Sequence, residues 1–581
     1  MKVPANGQAS YDRLFIVGDG DARFVLSAIN AYDANDDVGT VNGTVAPLAG
    51  DSLEGIKVFV QDTVRPPGKN YVAVLLPQPD GSFSAELDPG IYRLTSSGPG
   101  RVDKTEGNVE VVAGQSTEVT IVPNKPGRLA IDVDDDNGDT PPCKVTLQSG
   151  HDAPPNADED DLVYLAACNA VVPVRPGDYT VTVSRGFEYE LVRENVTITA
   201  GAETELTGTL EHSVDSTGLL SGDFHVHAVF SFDAHDLGPE RVTQLAAEGL
   251  ELPVVTEHDV QVDFQPYVEE VGLEAWLHVV LGSEISPTIG HFNAWPLFHP
   301  EGRPDYYSLP FEVYDDTMTA IRRYEFPEMF EFARNDYGAQ IVQINHPGGY
   351  FAYLGYDKDV GVGALDPDEW TADFEALEVF TGRPTGLTAE WFSFLDQGLA
   401  FTMTGNSDSH SRWKRLGSPR NVFAMPTDDP ETADAQDMID AIAAHRNQVS
   451  AGPLISFSID GESIGGFVTG LDAGTDVDLD IVVQAPLWID VDYLKVYSNH
   501  GTVVYDESLT PTGTVVRFDD TVTLAAGEDA YFVVEAGHTS AKLGPVDPGF
   551  AVRAITNPIW VDVDGNGEFD PPGLPVVIFD E

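Results

Sequence analysis

The spacing of apolar positions changes twice along the chain. Over the first 215 or so residues, apolar and polar side chains alternate in short runs such as Ile56–Gln61 and Tyr179–Ser184, broken by Gly, Pro and Asp. A period of two puts alternate side chains on opposite faces, so these runs predict strands joined by turns. From Gly222 the texture shifts. Phe224–Val226, Leu252–Thr256, Leu277–Leu281, Ile341–Ile344, Ala376–Phe380 and Ala400–Thr404 read as strands. Between them, Pro239–Gly249, Phe326–Tyr337, Thr388–Gln397 and Thr432–His445 read as helices. The first opens on Pro and closes on Gly, as helices do. Repeated strand–helix units predict a (β/α) barrel. After Gly452-Pro453, strands separated by turns return. The expected organisation is two β-sandwich modules (1–125 and 126–218), a barrel (219–453) and a C-terminal β domain (454–581).

An internal repeat supports the tandem modules. Asp88–Tyr92 (DPGIY) recurs as Arg175–Tyr179 (RPGDY), and Ala113–Ile121 as Ala200–Gly208. Pro89/Pro176, Tyr92/Tyr179, Ala113/Ala200 and Glu118/Glu205 share one offset, which predicts two copies of one small sandwich. The turn pattern resembles the Ig-like, carboxypeptidase-regulatory type of sandwich.

Charge narrows the partners. The chain has 31 Lys+Arg against 95 Asp+Glu, a net charge of −64. Such a field repels nucleic acid and anionic lipid. At 42% hydrophobic residues the chain has enough apolar material for packed cores. No apolar run reaches the roughly 18 residues of a membrane span. The first ten residues lack the apolar core of a signal peptide. Cys143 and Cys168, the only cysteines, sit in one acidic β-rich segment. They read as a disulfide of an oxidising compartment or as two buried thiols. The expected location is secreted or periplasmic, with a leader already removed. The alternative is the cytoplasm of a salt-adapted organism.

Nine of the fourteen histidines lie between residues 225 and 410. His225-Val-His227 follows the first strand of the central region. Residues i and i+2 of a strand face the same side, so both imidazoles can reach one metal ion. Further ligand types follow other apolar runs: Glu257-His258, Glu284, His291, His346 and Asp408-Ser-His410.

In their order these motifs (HxH, T-acid-H, GxE, a histidine, NHPG, SDSH) resemble the polymerase-and-histidinol-phosphatase (PHP) metallohydrolases, nearest their carbaryl-hydrolase-like branch. The resemblance covers residues 222 to about 452. It implies a distorted (β/α)7 barrel holding two or three divalent transition metals (Zn, Mn or Fe). His225, His227, Glu284 and Asp408 match the ligands of one ion, with Glu284 bridging to a second. His291 and His346 match the rest of the second site, and His258 and His410 a third. Asp233 takes the remaining position, and Glu257 that of an acid orienting an imidazole. The activity implied is metal-activated hydroxide attack on an ester, most simply a phosphate ester. Carboxylic or carbamate esters are the second reading, and a non-catalytic binding or adhesion protein the third. Glu284, Asp408 and His410 would serve catalysis as well as metal binding.

The scarce cations bear on the ligand. Arg412, Lys414, Arg415 and Arg420 crowd into residues 411–420, and Arg383 follows another strand. Beside a metal site they suggest an anionic group, which guanidinium forks match; ordinary salt bridging is the rival reading. Trp295, Trp391 and Trp413 read as core or as the wall of an aromatic pocket, so the expected partner is a small anionic or aromatic ester. Near the C-terminus, Asp562, Asp564, Asn566 and Asp570 occupy positions 1, 3, 5 and 9 of a calcium loop, with Gly at 6. Position 12 is Gly573. A structural Ca²⁺ site and a plain acidic turn are the two readings.

Overall fold

A computed structural model describes residues 28, 32 and 37–574, except 49, 67, 156, 158–160, 299–308, 316–319, 367, 382–387, 414–415, 471–475 and 511–512. The chain forms two compact units. The first holds residues 1–131, 170–179 and 195–206; the second holds the remainder.

In the first unit, strands β1 (Gly39–Val45), β2 (Lys57–Asp62), β3 (Tyr71–Leu75), β4 (Ser82–Leu87), β5 (Gly90–Ser97), β6 (Lys104–Val111) and β7 (Ser116–Ile121) make two sheets, ordered β4-β1-β7 and β3-β2-β5-β6. Strict alternation closes the sandwich. Val41, Val45, Val58, Val60, Phe83, Leu87 and Leu94 point inward and are buried, while their neighbours along each strand face outward. The PGxY repeat has a local cause. Tyr92 donates its hydroxyl proton to the Asp88 carbonyl at 2.9 Å. Its ring packs on Gly90, where a Cβ would sit 3.4 Å from the ring. Gly177 and Tyr179 repeat that contact, also at 3.4 Å.

The second unit opens with the hairpin β8 (Cys143–Ser149) and β9 (Asp161–Leu165). Cys143 and Cys168 form a disulfide, and both are fully buried.

The central region departs from the expected (β/α)7 barrel. Its strands are β10 (Leu219–Gly222), β11 (Val254–Val255), β12 (Val280–Leu281), β13 (Ser283–Ile285), β14 (Phe292–Trp295), β15 (Ile341–Ile344), β16 (Ala376–Thr381), β17 (Thr402–Asn406), β18 (Arg420–Ala424) and β19 (Asn447–Ala451). They divide among three sheets rather than closing one parallel ring. β11 and β12 form a two-stranded parallel sheet, and β13-β14-β15-β16-β17 a mixed five-stranded one. β10, β18 and β19 belong to a sheet that continues into the C-terminal strands. The cause is connection length. The link from β13 to β14 is too short for a crossover helix, so β14 returns antiparallel, and it pairs antiparallel with β15 as well. β18 likewise pairs antiparallel with both β10 and β19. Helices are few: α1 (Gly238–Ala247), α2 (Phe326–Tyr337), α3 (Thr388–Asp396) and α4 (Ala435–Ala443) are the longer ones among the described residues. The molecule is built mainly of β-sheet.

Among the C-terminal strands, β20 (Leu454–Ile459), β21 (Asp476–Gln484) and β24 (Val516–Ala525) form one sheet. β22 (Tyr493–Ser498), β23 (Thr502–Ser508), β25 (Ala530–Leu543) and β26 (Asp547–Thr556) extend the other, with β26 pairing β19. Trp295 and Trp391 are wholly buried in cores of this unit, so neither walls a pocket.

Candidate metal centre

The strand ends of the central region converge on one cluster. The segment through Val226 bridges in parallel to Val255 and to Ser409, and His258 bridges to Glu284. These single bridges bring four ligand-bearing segments side by side. His225 and His227 project to one side, their ring centroids 5.1 Å apart. His227 stacks on His258 at 4.4 Å and on His410 at 4.2 Å. His346 approaches His225 at 5.7 Å and His291 at 4.9 Å.

Glu284 is the hub. Its carboxylate lies 3.0 Å from His258 Nδ1 and from His291 Nδ1. It lies 3.3 Å from the Nε2 of His225, His227 and His346. Asp408 Oδ1 lies 3.4 Å from the Nε2 atoms of His225 and His227. Asp233 faces His410 Nε2 at 3.3 Å and His258 Nε2 at 3.6 Å. The nine side chains picked out by the motifs are thus brought together; eight of them fall in overlapping groups fit for an ion (His227/His258/His410, His225/His346/Asp408, His225/His227/Glu284 and His258/Glu284/His291), and Asp233 stands at their edge against His258 and His410.

Charge in this cluster is unbalanced unless cations join it. Burial works to lower the His225 pKa, but Glu284, Asp408 and Glu378 outweigh it and hold it well above the usual value. Burial acts to raise Glu284 and Asp408, and the imidazoles hold both below the ordinary carboxylate range. Among the described residues, the ion-pair partners of Glu284, Asp408 and Asp233 are all imidazoles. His225 Nε2, His227 Nε2, His410 Nε2 and Glu284 Oε2 are buried and, although they face oppositely charged groups of the cluster, make no well-formed hydrogen bond. Leaving such atoms without good hydrogen bonds is costly, and a metal ion at their centre would satisfy them together. The donor set of imidazole nitrogens and carboxylate oxygens fits Zn, Mn or Fe. These ions, when bound, would supply positive charge and open coordination positions.

A second ring of residues orients the ligands. Glu378 meets His225 Nδ1 at 3.0 Å and accepts the His346 backbone N–H at 2.6 Å. Ser231 Oγ lies 3.0 Å from His227 Nδ1 and donates to Glu257, so Glu257 reaches the cluster through a hydroxyl. Ser286 Oγ lies 2.8 Å from His258 Nδ1. Asp223 accepts the backbone N–H groups of His225, Ser407 and Gly417, which ties the first ligand strand to the last. Burial raises its pKa to about 6. Asp223, Ser231 and Glu378 had not been picked out from the sequence. The available signal was an acid alone in an apolar strand run, Asp223 beside Phe224 and Glu378 inside Ala376–Phe380. Two residues of the cluster, His346 (φ 27°) and Asp408 (φ 51°), hold left-handed backbone, which is uncommon for such residues and collects at functional sites.

The basic residues distribute differently. Arg383, Lys414 and Arg415 lie outside the described residues. Arg420 is 2% exposed, stacks its guanidinium 4.2 Å from the Phe187 ring and donates to the Gly417 carbonyl. That places it in packing rather than in the cluster. Arg412 lies over Trp413 at 5.0 Å. His235 is exposed and stands outside the ion-sized groups.

In the C-terminal loop, Asp562 accepts the N–H groups of Gly565 and Gly567, both at 2.7 Å. Asp529, far away in sequence, joins Asp562 and Asp564 in an ion-sized group. Asn566 and Asp570 instead bond to each other at 3.2 Å. Asp529 Oδ1 and Oδ2 accept Val563 N–H and Asp570 N–H, so the loop's carboxylates are largely satisfied from within.

No family model and no curated protein matches the chain. Solved structures with partial similarity include the Bacillus anthracis TIE protein (16% identity, 34% of this chain and 38% of that chain, TM-score 0.14). A streptococcal ancillary pilin follows (15%, 31% and 63%, TM-score 0.19). So does GBS52, the minor pilin of Streptococcus agalactiae (12%, 30% and 97%, TM-score 0.18). The chain therefore spans less than two thirds of the first two. The comparisons return these proteins and no PHP family match. The assignment to the PHP metallohydrolases is corrected accordingly, and with it the expected hydrolase, whether phosphoesterase or carboxylic or carbamate esterase.

Proposed function

We propose that this is a metal-dependent binding protein whose centre takes up an oxyanion-bearing ligand. One observation carries the reading: three imidazole nitrogens and one carboxylate oxygen are buried and convergent, 3.0–3.3 Å from one another's charged groups, and none makes a well-formed hydrogen bond. Such atoms are stable in a folded protein when a cation is their common partner. The ligands are His225, His227, Asp233, His258, Glu284, His291, His346, Asp408 and His410. The centre is closed beneath and open above. His225, His227 and Glu284 are buried, whereas the side chains of His346 and Asp408 are about a third exposed, at 36% and 35%. An ion held by this set keeps positions that face solvent, and an oxyanion is the group that fills them. Since Glu284, Asp408 and Asp233 pair only with imidazoles among the described residues, the metal supplies the attraction that a chain of charge −64 otherwise denies an anion. The Cys143–Cys168 disulfide favours an oxidising, extracytoplasmic setting.

The test is elemental analysis of the purified chain, followed by phosphate titration by calorimetry with and without chelation. Bound transition metal and phosphate binding that chelation abolishes are expected. A chain that holds no transition metal on incubation with Zn²⁺, Mn²⁺ or Fe²⁺ overturns the proposal.

A further inference from the structure

The loop between His227 and α1 carries a feature that metal binding alone does not use. Its backbone closes on itself, with Val229 N–H donating to Asp236 O at 2.9 Å and Ser231 N–H to Ala228 O at 3.0 Å. It is pinned to the centre at two points. Ser231 Oγ contacts His227 and Glu257 and accepts the His258 N–H at 3.0 Å. Asp233 faces His258 and His410. Phe232 lies between the two pins and faces outward. Its ring stacks on His258, centroids 5.0 Å apart and planes 24° from parallel, yet the residue is 82% exposed. Val229 and Leu237 of the same loop are also exposed, at 40% and 53%.

A lone exposed aromatic is ordinary on a protein surface. One stacked on an imidazole of the proposed centre, with most of its surface open, offers a platform. We infer that Phe232 makes the centre selective for an oxyanion attached to a planar apolar body. The oxyanion would lie over the metal positions while the planar body covers the Phe232 ring. Offset stacking of this kind strengthens binding about two- to tenfold. The inference rests on the proposed oxyanion-binding role.

The test uses the full chain loaded with Zn²⁺ and two probes that share one head group, phenylphosphonate and methylphosphonate, titrated by calorimetry. Wild type should bind the phenyl compound more tightly by that factor. Phe232→Ala should lose the preference while keeping its affinity for methylphosphonate, and Phe232→Trp should restore it. Equal affinities in wild type, or a preference that survives in Phe232→Ala, overturn the inference and leave the oxyanion-binding role intact. Metal-loaded protein that binds neither phosphonate overturns both.

Discussion

Glu378 is a fully buried carboxylate whose ion-pair partner is the His225 imidazole rather than a guanidinium or ammonium. Burying an anion costs several kcal/mol unless it is paired and hydrogen-bonded. Here it gains His225 Nδ1, the His346 N–H and Asn406 Nδ2 at 3.1 Å. By engaging His225 Nδ1 it orients Nε2 toward the centre, where a bound cation would take the place of the Nε2 proton, and it accepts the backbone N–H of His346. Glu378→Gln keeps the shape and removes the charge. Its metal affinity should fall about 10- to 100-fold, as read by competition with a chromogenic chelator. An unchanged affinity would show that the carboxylate does not orient the ligands. His445 supplies a residue-scale prediction away from the centre. It packs edge-on to Trp560 with Nδ1 2.7 Å from Thr402 Oγ1, and burial lowers its pKa to about 4. The unfolded chain holds histidine near pH 6.5, so the unfolded state binds more protons between about pH 6.5 and 4. Stability from the neutral ring is therefore complete above pH 6.5 and declines as pH falls toward 4, by about 3 kcal/mol in all. The urea midpoint of His445→Gln should depend less steeply on pH over that window than that of wild type. Parallel curves would remove the residue from the acid response.

At the scale of elements, the sequence was legible where structure is local. Alternation marks the strands of the sandwiches, and the paired Gly and Tyr of the PGxY turns explain why the repeat is visible at all. Ligand types were legible for the same reason: they directly follow apolar runs. What was not legible is pairing. Nothing in the residues of β14 announces that it returns antiparallel, since direction depends on the short link before it and on which neighbour is free. β18 and β19, not read as strands from the sequence, owe their place to long-range pairing, since β26, about a hundred residues on, pairs with β19. Asp529 was missed in the C-terminal loop because its partners lie more than thirty residues away in sequence. The disulfide is the covalent counterpart of such long-range ties. It closes a loop with a sequence separation of 25 around the β8–β9 hairpin. A loop of that length is expected to contribute about 3 kcal/mol. In Cys143→Ser/Cys168→Ser, amide exchange in β8 should accelerate by about 100-fold. Unaltered protection would mean that packing alone holds the hairpin.

For the whole molecule, the charge imbalance sets the response to salt. With 31 cationic side chains against 95 acidic ones, most carboxylates cannot find a partner of opposite sign. Some do, as where Arg101 meets Asp51 at 2.6 Å and Lys144 meets Glu248 at 2.8 Å, both pairs buried. Buried pairs are screened little by salt. The remaining carboxylates repel one another across a surface rich in strands with outward-facing acids, such as Asp476, Asp478 and Asp480 of β21. The Debye length falls from about 10 Å at 0.1 M to about 3 Å at 1 M salt, so added NaCl removes repulsion while leaving the buried attractions in place. The thermal midpoint should rise as NaCl increases from 0.05 to about 1 M, by several degrees, since about 1 kcal/mol moves the midpoint of a domain by about 2–4 °C. On the proposed metal-binding role, transition-metal ions should raise it further and act at far lower concentration, because they would bind the centre specifically while Na⁺ only screens. Differential scanning calorimetry of chelated protein across the NaCl series, repeated with Zn²⁺, separates the two effects. A midpoint that falls or stays level with NaCl would mean that attraction, not repulsion, governs the surface despite its sign.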